Sequence, residues 1–290
     1  MGCREFPTLD ADWPLLNAAL ADMGVVAELA HWDDPVVEWS DYDLVVVRGT
    51  WDSTVRPCEY LAWANRVASV SVLANGAEMF DWNLDKRYLR DLQASGVSVV
   101  PTEWVEPGDV WEPPQGEFVV KPSISGGGIE AARYGPAHRT DAIEHVRRLL
   151  GGGHTVMVQD YVSAVDVDGE LAMVFLGAQF SHAVCKGPLL QLGAGVSDGL
   201  WEREVLTLSA ATSATMGMGL RTLSAVADRF DRMPLYARVD LVTGPDGDPM
   251  VLELELIDPS LFLELAPGSS DRFAEVIAAN LSTDRQQTRR

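Results

Sequence analysis

Positive charge is scarce in this 290-residue chain: 22 lysines and arginines stand against 43 aspartates and glutamates, a formal net charge of −21. Such a surface repels nucleic acid and anionic membrane, so neither is expected as a partner. Cysteine is scarce too. Cys3, Cys58 and Cys185 have no metal-ligand spacing and build no disulfide framework, which fits a reducing compartment. The five histidines, His31, His138, His145, His154 and His182, show no ligand spacing either. No apolar run reaches the ~20 residues of a membrane span, and no secretory leader is expected, so the chain is expected in the cytoplasm. What the chain does have is apolar material: 47% of its residues, enough for a large core divided among two or three subdomains.

One stretch is organised for chemistry. Tyr236 to Ser260, YARVDLVTGPDGDPMVLELELIDPS, holds two runs alternating at period two, Tyr236 to Val242 and Met250 to Leu256, around Asp246 and Gly247. Asp-Gly between alternating runs predicts a β-hairpin. With the turn centred between those two residues, Asp240 stands opposite Glu253 and Arg238 opposite Glu255, all on one face. Val239, Leu241, Leu252 and Leu254 take the other. Opposed carboxylates whose Cβ atoms are ~5 Å apart repel and weaken a hairpin. A divalent cation between them reverses the sign, so Asp240, Glu253 and Glu255 read as ligands of a hard ion such as Mg²⁺. The competing reading is a solvated face of an acidic protein.

The rest of the chain alternates strands and helices, which implies a mostly parallel sheet at its start with ligands beyond the strand carboxyl ends. The first strand is expected to be very short, or the chain to begin inside it. Leu15 to Met23 reads as a helix and Val25 to Leu29 as a strand. A strand at Asp43 to Val47 delivers Arg48, Thr50, Trp51 and Asp52 as candidate substrate contacts, although Asp52, Ser53 or Thr54 can instead cap the helix that Pro57 helps start. Val70 to Leu73 is a strand and Asn75 to Asp81 a connection. Asn83 can cap a helix from Leu84 to Ala94, with Lys86 in its first turn, where a cation opposes the dipole and so points to a nearby anion. Val97 to Val100 reads as a strand and Glu106 to Gly116 as a linker. The strand Phe118 to Lys121 runs into Ser125, Gly126, Gly127 and Gly128, whose backbone amides can wrap a phosphate beside Lys121; a surface hairpin is the alternative. Ala131 to Tyr134 is a strand, Asp141 to Leu150 a helix, and Val156 to Val162 a strand with an extended continuation. Glu170 to Leu176 and Gln179 to Lys186 pair through Gly177 and Ala178. Leu189 to Trp201 reads as a mobile glycine-rich loop, Glu202 to Gly217 and Leu220 to Arg232 as helices, Ser270 to Leu281 as a helix, and the tail beyond it as disordered.

The order of Lys86, FVVKPS with its Ser/Gly loop, VMVQDYV, Lys186, ARVDLV and LELELIDPS, spread over Asn83 to Leu281, resembles the ATP-grasp superfamily. The resemblance implies mixed α/β and α+β architecture. Residues 1–82 would be a Rossmann-like pre-ATP-grasp domain, 83–163 a small ATP-binding subdomain with a glycine-rich lid, 164–282 a metal and substrate subdomain, and 283–290 a disordered tail. It implies a ligase that joins a carboxylate to a nitrogen through an acyl phosphate. It further implies that Lys86 and Lys121 contact phosphates and adenine, that Ser125 to Gly128 form the lid, and that Gln159, Asp160, Tyr161 and Val162 form the adenine hinge. Glu170 would hold the ribose, Lys186 the phosphates, and Arg238 the transferring phosphoryl group. Asp240 and Glu253 would hold two Mg²⁺ ions, for which Mn²⁺ can substitute. Gln159 stands where an acid often occurs, and Glu255 where the usual Glu-x-Asn has asparagine. Substrate contacts would come from loops that include Arg48, Asp52 and Ser260. VVVRGTWD, DWNLDKRYL and ELELIDPSLFL look most like the small actinobacterial group that includes the O-ureido-serine cyclo-ligase of cycloserine biosynthesis, which implies ring closure within an amino-acid-like substrate. A phosphotransferase and a non-catalytic nucleotide-binding protein are the alternatives, and monomer and homodimer both remain open. Asp240→Asn is expected to abolish Mg²⁺-dependent turnover with little loss of stability.

Overall fold

The computed structural model describes residues 2–5, 10–197 and 205–287. The chain opens with α1 (Trp13–Asp22), β1 (Leu44–Val46), α2 (Pro57–Ala68) and β2 (Val72–Ala74), and β1 and β2 pair in parallel. The first strand shrinks to Gly2, which bridges in parallel to both His31 and Gly49. Its N–H donates to Ala30 O and its carbonyl accepts from Trp32 N–H, each at 3.0 Å. A one-residue neighbour cannot template a ladder, so the strand expected at Val25 to Leu29 does not form, and Val26 lies 99% exposed. Trp32, Tyr60, Trp63 and Phe80 fill the core beneath α2, with Tyr60 and Trp63 stacked at 5.4 Å.

Two short helices follow, α3 (Ala77–Asn83) and α4 (Tyr88–Ala94), where a connection and one longer helix were expected. Asn83 ends α3 instead of capping a helix, because its side chain is committed to tertiary partners. Its Nδ2 donates to Leu254 O at 2.9 Å and its Oδ1 accepts from Leu256 N–H at 2.7 Å. Lys86 therefore sits in the turn between α3 and α4, not in a helical first turn, and its N–H donates to Ser123 O at 2.8 Å. Val97 to Val100 makes only an isolated bridge, Val99 to Val251. The strand there begins later, as β3 (Thr102–Val105). With β4 (Phe118–Pro122), β5 (Ala132–Tyr134), α5 (Arg139–Gly151) and β6 (Val156–Asp160) it builds an antiparallel sheet in the order β3-β6-β4-β5.

The third unit contains α6 (Val165–Asp168), β7 (Glu170–Leu176), β8 (Gln179–Lys186), β9 (Leu206–Ser209), α7 (Ser213–Phe230), β10 (Tyr236–Thr243), β11 (Pro249–Glu255) and α8 (Ser269–Gln287), with sheet order β11-β10-β7-β8-β9. The helix expected over Glu202 to Gly217 is corrected: β9 pairs with β8 from Ala183↔Ser209 to Lys186↔Leu206. Glu202 to Glu204, like 198–201, lie outside the described residues. Helix α7 starts only at the Thr212–Thr215 capping box and then runs unbroken for 18 residues. It passes through Gly219 because Phe175 lies 2.7 Å from where a Cβ would stand. Helix α8 reaches Gln287, so the expected disordered tail is helical over most of its length, and 288–290 lie outside the described residues. Met173, Phe175, Ala237 and Val239 pack one face of the sheet against α3, α4 and α7. Val174, Leu176 and Tyr236 pack the other against α1 and α8. Among the described residues no helix is long and apolar enough to cross a membrane.

The hairpin has the expected register at its functional end, Arg238↔Glu255 and Asp240↔Glu253. A bulge follows between Asp240 and Leu241, and Val251, not Leu252, pairs with Leu241. Leu252 is thereby turned off the core face expected for it and lines a cavity, while Val251 is fully buried in its place.

Candidate active site

The three units enclose a cavity of about 510 Å³, within the ~300–1,000 Å³ range of small-molecule sites. The four-stranded sheet contributes Lys121, the Ser125 to Gly128 loop and Gln159 to Val162; the five-stranded sheet contributes Glu170, Lys186, Arg238, Glu253 and Glu255. Arg48 and Ser260 close the far end, with Lys86 between. Asp240 and Asp52 do not line it.

Every carboxylate of the hairpin face is matched to a protein cation. Asp240, 1% exposed, accepts from Lys186 Nζ at 2.9 Å and from Arg238 Nε and Nη2 at 2.8 Å each. Burial opposes its ionisation, but Arg238 and Lys186 outweigh burial and hold it well below the usual carboxylate range. Lys186 also pairs with Glu170, and Arg238 with Glu255. Glu253 pairs with Lys86 at 3.1 Å, and although burial raises its pKa, Lys86 and Lys121 bring it below normal. Burial dominates at the other two: Glu170 is pushed up to about 7 and Glu255 to about 8. The carboxylates are therefore not a solvated face. Nor, among the described residues, do three acidic side chains already form a metal cluster: the positive charge that offsets the Asp240–Glu253 repulsion comes from Lys86, Lys186 and Arg238. Asp240→Asn was expected to cost little stability; because the charge of Asp240 balances two buried cations, a larger cost is now predicted.

Lys121 is the exception. It makes no ion pair among the described residues, and burial lowers its pKa against the influence of Glu253. A half-buried lysine facing a cavity without a counter-ion is arranged for an anionic ligand. The Ser125 to Gly128 loop lies beside it: Lys86 Nζ donates to Ser125 O and pairs with Glu253, tying that loop to the hairpin. Gly128 takes φ +75° with Leu189 3.0 Å from its missing Cβ, a place only glycine occupies without strain. On β6, Gln159 Nε2 donates to Thr102 Oγ1 at 2.9 Å, so its side chain braces β3. Tyr161 lies under Arg133, 3.4 Å from guanidinium to ring centre, and its N–H donates to Glu117 O at 2.9 Å.

At the far end Arg48 is held by Asp12 at 2.6 Å, Asp10 at 3.4 Å and Pro259 O at 3.0 Å. Asp258 accepts from Thr50 Oγ1 at 2.7 Å and Ser53 Oγ at 3.3 Å, and burial pushes it up to about 6. Ser260 offers its carbonyl to Arg238 Nη1 at 3.2 Å. Asp52 is corrected: it turns away from the cavity to accept from Trp32 Nε1 at 2.7 Å and Arg56 at 3.1 Å. Asp10, Asp12 and Asp258 were missed because only the fold, not local spacing, brings them to Arg48 and Thr50.

A family model described as the N-terminal domain of D-cycloserine synthetase DcsG matches residues 1–75. The curated cycloserine biosynthesis protein DcsG of Streptomyces lavendulae is 37% identical over 288 residues, covering 94% of this chain and 95% of that protein. The crystal structure of D-cycloserine synthetase DcsG superposes with a TM-score of 0.86 at 36% identity, covering 94% and 95% of the two chains. The ATP complex of D-alanine–D-alanine ligase from Bacillus anthracis shares the fold, with a TM-score of 0.64 at 14% identity over 95% and 92%. On that identity and coverage, the chain belongs to the DcsG family within the ATP-grasp ligases and is an ATP-dependent enzyme that forms a C–N bond.

Proposed function

We propose that the chain closes a ring within an amino-acid-like substrate such as O-ureido-serine, a reading supported by its likeness to a protein named D-cycloserine synthetase. The observation that carries this reading is the gathering of Lys86, Lys121, Lys186 and Arg238 around one cavity in a chain whose net charge is −21. A carboxylate is a poor electrophile. Its oxygen takes the γ-phosphoryl group of ATP with loss of ADP, and the substrate nitrogen then attacks the acyl carbon, releasing phosphate and the nitrogen's proton.

Lys121, Lys86 and Lys186 neutralise the triphosphate, and Arg238 steadies the transferring phosphoryl group. Gln159 to Val162 receive the adenine, Glu170 the ribose hydroxyls, and Ser125 to Gly128 close over the phosphates to exclude water. Arg48 and Ser260 belong to the acid-binding end. The family uses ATP with Mg²⁺, and the donor set fits: Glu253 and Glu255 offer hard oxygens at the cavity, and Asp240, buried behind them, would join as a ligand where phosphate draws off the lysines and arginine now paired with the three carboxylates. They would hold two ions, and Mn²⁺ suits the same oxygens; the metal adds charge neutralisation at the phosphates. The parts are residues 1–82, 83–163 and 164–282, with α3 and α4 packed on the last.

The test is incubation with O-ureido-serine, ATP and Mg²⁺, measuring ADP and product mass. A ring-closed product supports cyclo-ligation: it is lighter by one water where the carbamoyl group stays on the ring nitrogen, and lighter by carbon dioxide plus ammonia where water then removes that group. A phosphorylated acceptor without water loss identifies a phosphotransferase, and no ADP at all a non-catalytic nucleotide binder.

A further inference from the structure

Ring closure requires a group to receive the proton of the attacking nitrogen, and a ureido nitrogen, its lone pair delocalised into the carbonyl, attacks poorly until that proton is drawn off. Most carboxylates lining the cavity are committed elsewhere. Asp10 and Asp12 pair with Arg48, Glu170 with Lys186, Glu253 with Lys86 and Glu255 with Arg238, so a proton added to any of them strands a buried cation. Asp160 and Glu264 are exposed to water. Asp258 differs from all of these: among the described residues it is held by hydroxyls alone. Its Oδ2 accepts from Thr50 Oγ1 at 2.7 Å and Ser53 Oγ at 3.3 Å. With the Thr50 proton spent there, Tyr60 OH donates to Thr50 Oγ1 at 2.9 Å and fixes its rotor. Asp258 Oδ1 accepts no hydrogen bond among the described residues, yet it is not one of the side-chain atoms sealed without a partner, so it is open to the cavity that Asp258 lines.

The two residues after Asp258 fix its place. Pro259 O accepts from Arg48 Nη1 at 3.0 Å and Ser260 O from Arg238 Nη1 at 3.2 Å. Two residues of chain span at most ~7 Å, so an acid activated at Arg238 carries its acyl carbon within one small molecule's length of Asp258. Burial raises the proton affinity of Asp258 against Thr50, Ser53, Arg238 and Arg48 and brings its pKa to about 6. Such a base is free at neutral pH and still able to hold a proton. We propose that Asp258 is the catalytic base of ring closure, an assignment that rests on the ligase reading above. Its Oδ1 takes the proton of the attacking nitrogen as the N–C bond forms and the bond from the acyl carbon to the phosphate oxygen breaks. The electron pair of that bond leaves with phosphate, and the Asp258 carboxylic acid then returns its proton to water.

The experiment is a rapid-quench single turnover with O-ureido-serine, ATP and Mg²⁺ that follows ADP and ring-closed product separately. Phosphorylation of the acid needs no base, whereas closure does. Asp258→Asn should therefore form ADP within about threefold of the wild-type rate and ring-closed product about a hundredfold or more slowly. The acid concentration giving half the maximal ADP rate should stay within about twofold, and added hydroxylamine should trap the waiting acyl phosphate as a hydroxamate. Asparagine keeps an acceptor for Thr50 and removes a buried charge, so the variant should fold; if it does not, Asp258→Ser is measured instead and judged by the same outcomes. Product formed at the wild-type rate overturns the base, and so does equal slowing of both steps, which marks a residue that only binds or positions the acid. A wild type that yields no ring-closed product overturns the ligase reading, and the base falls with it.

Discussion

Asp240 lies between two buried cations, so an amide there changes more than a metal ligand. Lys186 keeps Glu170 and Arg238 keeps Glu255 as partners, which limits the damage. Asp240→Asn should abolish turnover and cost about 1–3 kcal/mol in urea unfolding, less than the loss of a sole partner. Among the described residues Lys121 makes no ion pair, and Glu253, whose charge it favours at longer range, keeps Lys86. Lys121→Ala should weaken ATP binding about tenfold by calorimetry and leave the midpoint of unfolding equal or higher, because burial already disfavours that charge. Asp258 carries a pH signature. Its folded pKa of about 6 lies above the ~3.9 of an unfolded aspartate, so the folded state binds the proton more tightly. The resulting stability is fully present below ~4, falls as pH rises to about 6 and is absent above. The stability difference between wild type and Asp258→Asn should therefore be about 2 kcal/mol larger at pH 4 than at pH 7, and a pH-independent difference would contradict the assignment. At this scale the hairpin residues were legible because pairing period and turn are local. Asp10 and Asp12 were not, since they reach Arg48 across 38 and 36 residues.

The β10–β11 hairpin is held from outside by two asparagines. Asn75 donates to Tyr236 O at 2.9 Å and Leu256 O at 2.6 Å, and Asn83 brackets Leu254 and Leu256. Asn83→Ala leaves a buried N–H and carbonyl unpaired, so it should cost about 2–4 kcal/mol in urea unfolding; a cost under about 0.5 kcal/mol would show that the clamp is dispensable. This clamp was read as a helix cap because Asn before an apolar run carries the same local signature in both roles. Strand β9 was hidden for a related reason. Leu206 to Ser209 is a strand only because β8 lies beside it, and spacing within four residues carries no such information. The β7–β8 and β10–β11 hairpins, closed by Gly177-Ala178 and by Asp246-Gly247, needed no distant partner to be recognised.

Over the whole molecule, charge is segregated: acidic residues dominate the chain while, among the described residues, five cations, Arg48, Lys86, Lys121, Lys186 and Arg238, line one cavity where the sheets meet. The most direct test is Glu253→Gln. Glu253 lines the cavity and is less buried than Asp240; its ion-pair partner Lys86 also donates to Ser125 O, and glutamine keeps an acceptor oxygen for it, so the substitution removes a charge without leaving Lys86 unpaired. ADP release with O-ureido-serine and Mg²⁺ should fall about a hundredfold or more, while Tm stays within about 5 °C of wild type. A folded Glu253→Gln protein that turns over at the wild-type rate would contradict the assignment of this hairpin as the phosphate-activating face.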